Sequence, residues 1–312
     1  MNDLRRYNEI LKRLTEDIDG KERKKLKQEL TTLNLLKCMV RSDTRIAISE
    51  QIADIDAKIN HMWQVFANNE SNLMALLWCM FDVECVNIQN LETEERQRPK
   101  NLILDYASLV HIEGKNKERR YHVDDAEDRF ISMVNGNFVR LQDIVWIRIN
   151  KIIESIRQKL EPSRIERMIT LFARSLCRRG IIDANRVKTL GIILSSGFWG
   201  NHIVTSYMIP AQIEYILLKT LEENKQTITC FRKDGTMFKD ITLDDIFGDE
   251  SRLNSVKQYI DSNILDEFKY LFKHNNIRNN LYHGKCDDDI VDNGYMWYLF
   301  CRLLYITYKK NR

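Results

Sequence analysis

Three prolines interrupt 312 residues, at positions 99, 162 and 210, and glycine is nearly as scarce, with 11 in the whole chain. Proline ends helices because its ring removes an N–H and presses on the preceding turn, while glycine weakens them through backbone entropy. A chain with so few of either, filled instead with Leu, Ile, Lys and Glu, is free to run in long helices, and the expected class is mainly α. The length suits two ordinary domains, or one large domain with an extension.

Hydrophobic residues supply 44% and charged residues 30%, a balance that buries a core rather than leaving the chain disordered. The formal net charge is only +3, so an anionic partner has to be met by a local cluster and not by the bulk field. Seven cysteines lie scattered at 38, 79, 85, 177, 230, 286 and 301 with no CxxC pair. That pattern argues against a structural zinc site and fits free thiols in a reducing cytosol. The first residues, MNDLRRYNEI, are polar and lack the apolar run of a secretion signal, and no apolar stretch is long enough to span a bilayer. The expectation is a cytoplasmic protein with no membrane partner, metal or other cofactor.

Residues 1–66 read as a helical hairpin. Leu4, Tyr7, Leu11, Leu14 and Ile18 follow a 3-4 spacing, then Leu26, Leu30, Leu33 and Leu36 after a charged break, then Ile48, Ile52, Ile55, Ile59, Met62 and Phe66. One apolar stripe on one face suits helix-on-helix packing within the chain, or a coiled-coil contact with a partner. Lys21, Arg23, Lys24, Lys25 and Lys27 interleave with Glu22 and Glu29 and read as a solvated connection.

Residues 67–184 read as a helical middle region. Met74, Leu76, Leu77, Trp78 and Phe81 mark a buried helix, and the charged stretch 91–102 with Pro99 reads as a linker. Residues 103–143 are the least regular. Asp105, Glu113 and Lys115 loosely resemble an acid plus E-x-K nuclease arrangement, in which carboxylates hold a metal, but that spacing is common by chance. His122 with Asp124, Asp125 and Asp128 reads better as the acidic start of a helix than as a metal site. Ile149, Ile152, Ile153, Ile156 and Leu160 restore helical spacing. Ser163 and Glu166 have the spacing of a capping box, Arg164, Arg167, Arg174, Arg178 and Arg179 read as a salt-bridged solvent face, and Gly180 as a helix stop.

From residue 185 the pattern tightens. Pro210 is expected at a helix start, where its missing N–H costs little. Ile213, Ile216, Leu217, Thr220 and Leu221 then face inward, with Glu214 as a lone acid amid them. Residues 227–241 change to a strand-like period around Asp234-Gly235, which favours a type I′ hairpin turn, and Thr242 with Asp245 begins another capping box. Short helices are expected around 251–260 and 263–273, and an apolar closing helix at 293–308.

Between the last two stands Arg278-Asn279-x-x-x-His283-Gly284. With the I-P-x-Q-I-E helix before it, the small hairpin, the helix leading into the motif and the apolar helix after it, residues 185–312 resemble the HEPN superfamily in its R-N-x-x-x-H-G form. The resemblance implies a helical bundle with a small β-hairpin insert. It also implies a metal-independent endoribonuclease acting as a homodimer through this domain, in phage defence or as a toxin. RNA would be the substrate, and the N-terminal helices would meet a regulatory partner.

The residue types fit that chemistry. Cleavage of RNA without a metal requires a proton taken from the 2′-OH, a proton given to the 5′ oxygen, and charge stabilised on the phosphorane. Histidine titrates near neutrality and can move the proton. Arginine forks two donors onto phosphate oxygens. His283 is therefore the expected acid/base and Arg278 the phosphate ligand, with Asn279 assisting and Glu214 as an accessory that orients the pair. On one continuous helix the step from Arg278 to His283 turns about 140°, at ~100° per residue, so a shared site asks for a reaching arginine or a second copy. The alternative is a non-catalytic helical interaction or dimerisation protein, with the Asn-rich motif as a helix cap and His283 as a helix end.

Overall fold

A computed structural model describes residues 21–22, 42–68, 73–97, 110–112, 118–120, 126–231, 238–274, 277–283 and 294–310. The chain divides into two compact units, Met1–Ala57 and Lys58–Arg312. In the first, the described residues are helical.

Helix α1 spans Ser42–Asn68 and carries the apolar 4-3 spacing, with Met62 and Phe66 buried. Helices α2 (Met74–Phe81) and α3 (Ile88–Gln97) follow. The segment expected to be a linker is thus helical through Gln97. Its Glu and Arg residues are good helix formers, Pro99 falls after Gln97 and no glycine or proline lies within Ile88–Gln97, and Ile88 and Leu91 bury one side of that helix. A short antiparallel ladder pairs β1 (Val110–Ile112) with β2 (Glu118–Arg120).

Helix α4 (Ala126–Lys159) buries Val134, Phe138, Ile149, Ile152, Ile153 and Ile156 along one stripe. Helix α5 (Pro162–Arg178) starts at Pro162, so Ser163 lies inside the first turn and is not its cap. The fixed φ of proline already suits the first helical position. Glu166 turns away instead, accepting from Ser195 Oγ at 2.7 Å and from Trp199 Nε1 at 2.6 Å. At the other end Gly180 adopts φ +72°, with Gly180 N–H donating to Cys177 O and Ile181 N–H to Leu176 O. These bonds form a Schellman stop and meet the expectation for that glycine.

Helix α6 (Val187–Phe198) leads through a second left-handed glycine, Gly200, into α7 (His202–Glu223). Pro210 lies inside α7 and not at its start, because Asn201 caps the helix earlier by accepting from Val204 N–H at 3.3 Å. Strands β3 (Thr229–Phe231) and β4 (Phe238–Asp240) pair antiparallel, while Asp234-Gly235 lies outside the described residues. Then come α8 (Leu243–Gly248), α9 (Glu250–Lys257), α10 (Ser262–Lys269), a π turn (Tyr270–His274), α11 (Ile277–Tyr282) and α12 (Gly294–Lys310). The chain is mainly helical, as its composition requires.

Within the second unit the core runs through position 185. Helix α12 is buried over most of its length, and Trp78 of α2 stacks on its Tyr305 and Tyr308 with centroids 5.0 and 5.1 Å away. Glycine allows close approach at two places. A Cβ at Gly197 would fall 2.1 Å from Trp297, and one at Gly294 2.1 Å from Trp146.

A polar cluster lies inside this apolar body. Glu267 is fully buried and accepts from Tyr295 Oη, which in turn accepts from Val86 N–H at 3.3 Å. Asn263 donates to Glu267 at 3.3 Å and to Val86 O at 2.9 Å, and accepts from Ile88 N–H at 3.1 Å. Arg302 and Tyr298 donate to the carbonyl of Val83. These bonds satisfy the backbone of the turn between α2 and α3, which would otherwise bury unpaired polar groups.

Candidate functional site

Helix α11 is too short to be stable alone, so its neighbours must hold it in place. Leu281 is buried. Arg278 points to α7 and α8, with Nη2 3.5 Å from Glu214 Oε2 and Nη1 3.8 Å from Asp244 Oδ2. Tyr282 donates from its hydroxyl to Tyr207 O at 3.2 Å.

The lone acid of the apolar α7 face therefore meets the arginine of the motif. Glu214 accepts also from Leu243 N–H at 3.1 Å, the first residue of α8. Thr242 donates from its N–H and hydroxyl to Asp245 Oδ2, at 3.0 and 2.9 Å, as the spacing of the capping box predicted. The start of α8 is thus fastened twice, and Asp244 stands between the fastenings, its side chain 65% exposed. Asp244 is the member of this cluster that sequence reasoning missed. An acid in the first turn of a helix reads as a response to the helix dipole, and nothing local signals an arginine from a distant segment.

The Arg278 side chain is 23% exposed, and its Nη1 is buried with no hydrogen-bond partner among the described residues. An ion pair at 3.8 Å is an electrostatic contact, too long for a hydrogen bond.

His283 follows the last helical residue and is exposed. Its N–H donates to Asn279 O at 3.0 Å, so the backbone keeps helical hydrogen bonding as far as the histidine. Asn279 is exposed on the same short helix. Arg278 thus faces the protein and His283 faces solvent, as the ~140° turn requires. Asn275, Asn276 and Gly284 lie outside the described residues.

A second histidine, His274, closes the π turn before the motif. It packs on Tyr270 with ring centroids 4.7 Å apart, and burial, aided by Lys269 and Lys273, lowers its pKa to about 4. At neutral pH it is an uncharged imidazole. His283 is therefore the exposed histidine of the two.

Asp105, His122, Asp124 and Asp125 lie outside the described residues, as do Glu113 and Lys115. Asp128 falls within α4. No group of three His, Cys, Asp or Glu side chains suited to a metal occurs among the described residues, and no helix there is long and apolar enough to cross a membrane. Cys79, Cys85, Cys177 and Cys301 are free thiols. No family model matches this chain, and neither a curated protein nor a solved structure matches it.

Proposed function

We propose that the protein is a metal-independent endoribonuclease of the HEPN type, active in the cytoplasm as a homodimer, with a role in phage defence or as a toxin. In this reading residues 185–312 are the HEPN-like helical domain, with β3 and β4 as its insert. The N-terminal helices take a regulatory partner.

The observation that carries the reading is the arginine. One end of the Arg278 guanidinium pairs with Glu214 at 3.5 Å, and the other presents a buried donor with no hydrogen bond among the described residues, five positions before the exposed His283. A guanidinium paired on one side, with a donor left over on the other, suits a phosphate oxygen. The 2′ oxygen attacks phosphorus, the bond from phosphorus to the 5′ oxygen breaks, and the ends are a 2′,3′-cyclic phosphate and a 5′-OH. One proton leaves the 2′-OH and one reaches the 5′ oxygen. His283 of one protomer takes the first, and the same residue of a two-fold partner supplies the second. Asn279 adds a hydrogen bond to the phosphate.

A second reading, a non-catalytic interaction module, is favoured by the two carboxylates that already engage Arg278. The deciding experiment is cleavage of single-stranded RNA in EDTA by the parent chain and by folded His283→Ala and Arg278→Ala. Cyclic-phosphate ends that fall about 100-fold or more in His283→Ala support the nuclease. Equal cleavage by parent and variants, or none by the parent on varied RNAs, selects the interaction module.

A further inference from the structure

We infer that Asp244 is an internal stand-in for the RNA phosphate, an acid that pairs with the Nη1 side of Arg278 at rest and must leave when substrate binds. The inference rests on the reading of Arg278 as a phosphate ligand and adds a regulatory contact to that site.

The two acids around Arg278 are not equivalent. Glu214 is 28% exposed and is held by a second donor, Leu243 N–H at 3.1 Å. Moving it would strip a backbone N–H of its partner as well as the guanidinium of its anchor. Asp244 is 65% exposed and meets Nη1 at 3.8 Å, beyond hydrogen-bond length. An exposed ion pair of this kind is weak. Its side chain is free to rotate into solvent without disturbing α8, because Asp245 and Glu214 hold the start of that helix.

A phosphate oxygen brought within hydrogen-bond distance of Nη1 meets Asp244 as a like charge nearby. The acid therefore opposes binding twice, by holding Arg278 and by repelling the anion. Glu214 serves in the other sense, as a positioning residue that keeps the guanidinium aimed. Asp244 makes the site selective for ligands whose other contacts are strong enough to displace it, and a lone phosphate or a short RNA end is excluded first.

The test is a double-mutant cycle on the full chain. Binding of a fluorescein-labelled single-stranded RNA, fully 2′-O-methylated and so uncleavable, is measured for the parent, Asp244→Asn, Arg278→Ala and the double variant. Asp249→Asn serves as control, an acid close in sequence whose partner is Arg252 at 3.6 Å. Asp244→Asn is expected to tighten binding about two- to fivefold, a gain lost on the Arg278→Ala background, while Asp249→Asn changes nothing. A gain of equal size without Arg278 would mean that only general charge was altered, and would overturn the inference. So would an unchanged affinity in Asp244→Asn, or no binding by any of the chains. If the coupling appears but cleavable RNA stays intact with the parent chain, the nuclease reading falls while the acid gate stands.

Discussion

Replacing Tyr295 by Phe removes one oxygen from the interior and tests how the turn between α2 and α3 is held. Tyr295 is fully buried, and its ring packs edge-on against Phe138 with centroids 6.4 Å apart, a contact that phenylalanine keeps. The hydroxyl donates to Glu267 and accepts from Val86 N–H at 3.3 Å. Without it, both groups remain buried and each loses a partner. An orphaned buried polar group costs about 1–3 kcal/mol. The Val86 bond is long and belongs at the low end, and Glu267 keeps Asn263 at 3.3 Å. The expected loss is therefore about 2–4 kcal/mol, a large part of the ~5–15 kcal/mol typical of a folded chain. Urea unfolding should show a lower midpoint with an unchanged slope. Tyr282→Phe serves as control, since its hydroxyl lies on an exposed residue and its removal should cost under about 0.5 kcal/mol. A Tyr295→Phe midpoint within the error of the parent would refute the claim that this cluster holds the turn.

Burial pushes the Glu267 carboxyl well above the usual carboxylate range, against the opposing pull of Tyr295 and Arg302. Its folded pKa thus exceeds its unfolded value, so the stability it contributes is full below about pH 4.5 and is lost as pH rises toward the folded pKa, at up to about 1.4 kcal/mol per unit. Glu267→Gln cannot ionise, so its urea midpoint should gain on the parent from pH 5 to pH 7, and parallel profiles would contradict the assignment. Gly197→Ala would place a Cβ 2.1 Å from the buried Trp297 ring and should destabilise by about 1–3 kcal/mol, lowering the melting temperature by about 2–4 °C for each kcal/mol. An unchanged melt would mean that the ring moves freely.

The parts of this fold legible in the sequence are those whose causes are local. The stripe Ile165, Met168, Ile169, Phe172 and Leu176 announces α5, and all five are buried. Gly180 announces its end, and Thr242 with Asp245 the start of α8. Glu214 was visible as a polar residue on an apolar face, a position that asks for a partner. What stayed hidden depends on segments far apart in the chain. The charged run from Glu92 to Gln97 looks like a linker until Tyr270 is found donating to Glu92 at 2.9 Å. Pro210 looks like a helix start until Asn201 is seen to cap earlier. Glu267 sits in a sequence that reads as an ordinary amphipathic helix, and only Tyr295 and Asn263 reveal that it is an interior acid.

Helix α7 ties these observations together at the site. Its Tyr207 and Glu214 lie two turns apart on one face. The motif helix meets them in reverse order, Arg278 at Glu214 and Tyr282 at Tyr207, so α11 runs antiparallel to α7 along that face. Pro210 stands between the two contacts. It supplies no N–H to the Ser206 carbonyl, one residue before the Tyr207 carbonyl that takes the Tyr282 hydroxyl. A helix as short as α11 has little stiffness of its own and takes its direction from these two ends. Arg278 is therefore turned inward by Glu214. His283, one residue past Tyr282, is carried outward by the same fixation. A substitution at Tyr207 or Pro210 would move the histidine relative to the arginine without touching either.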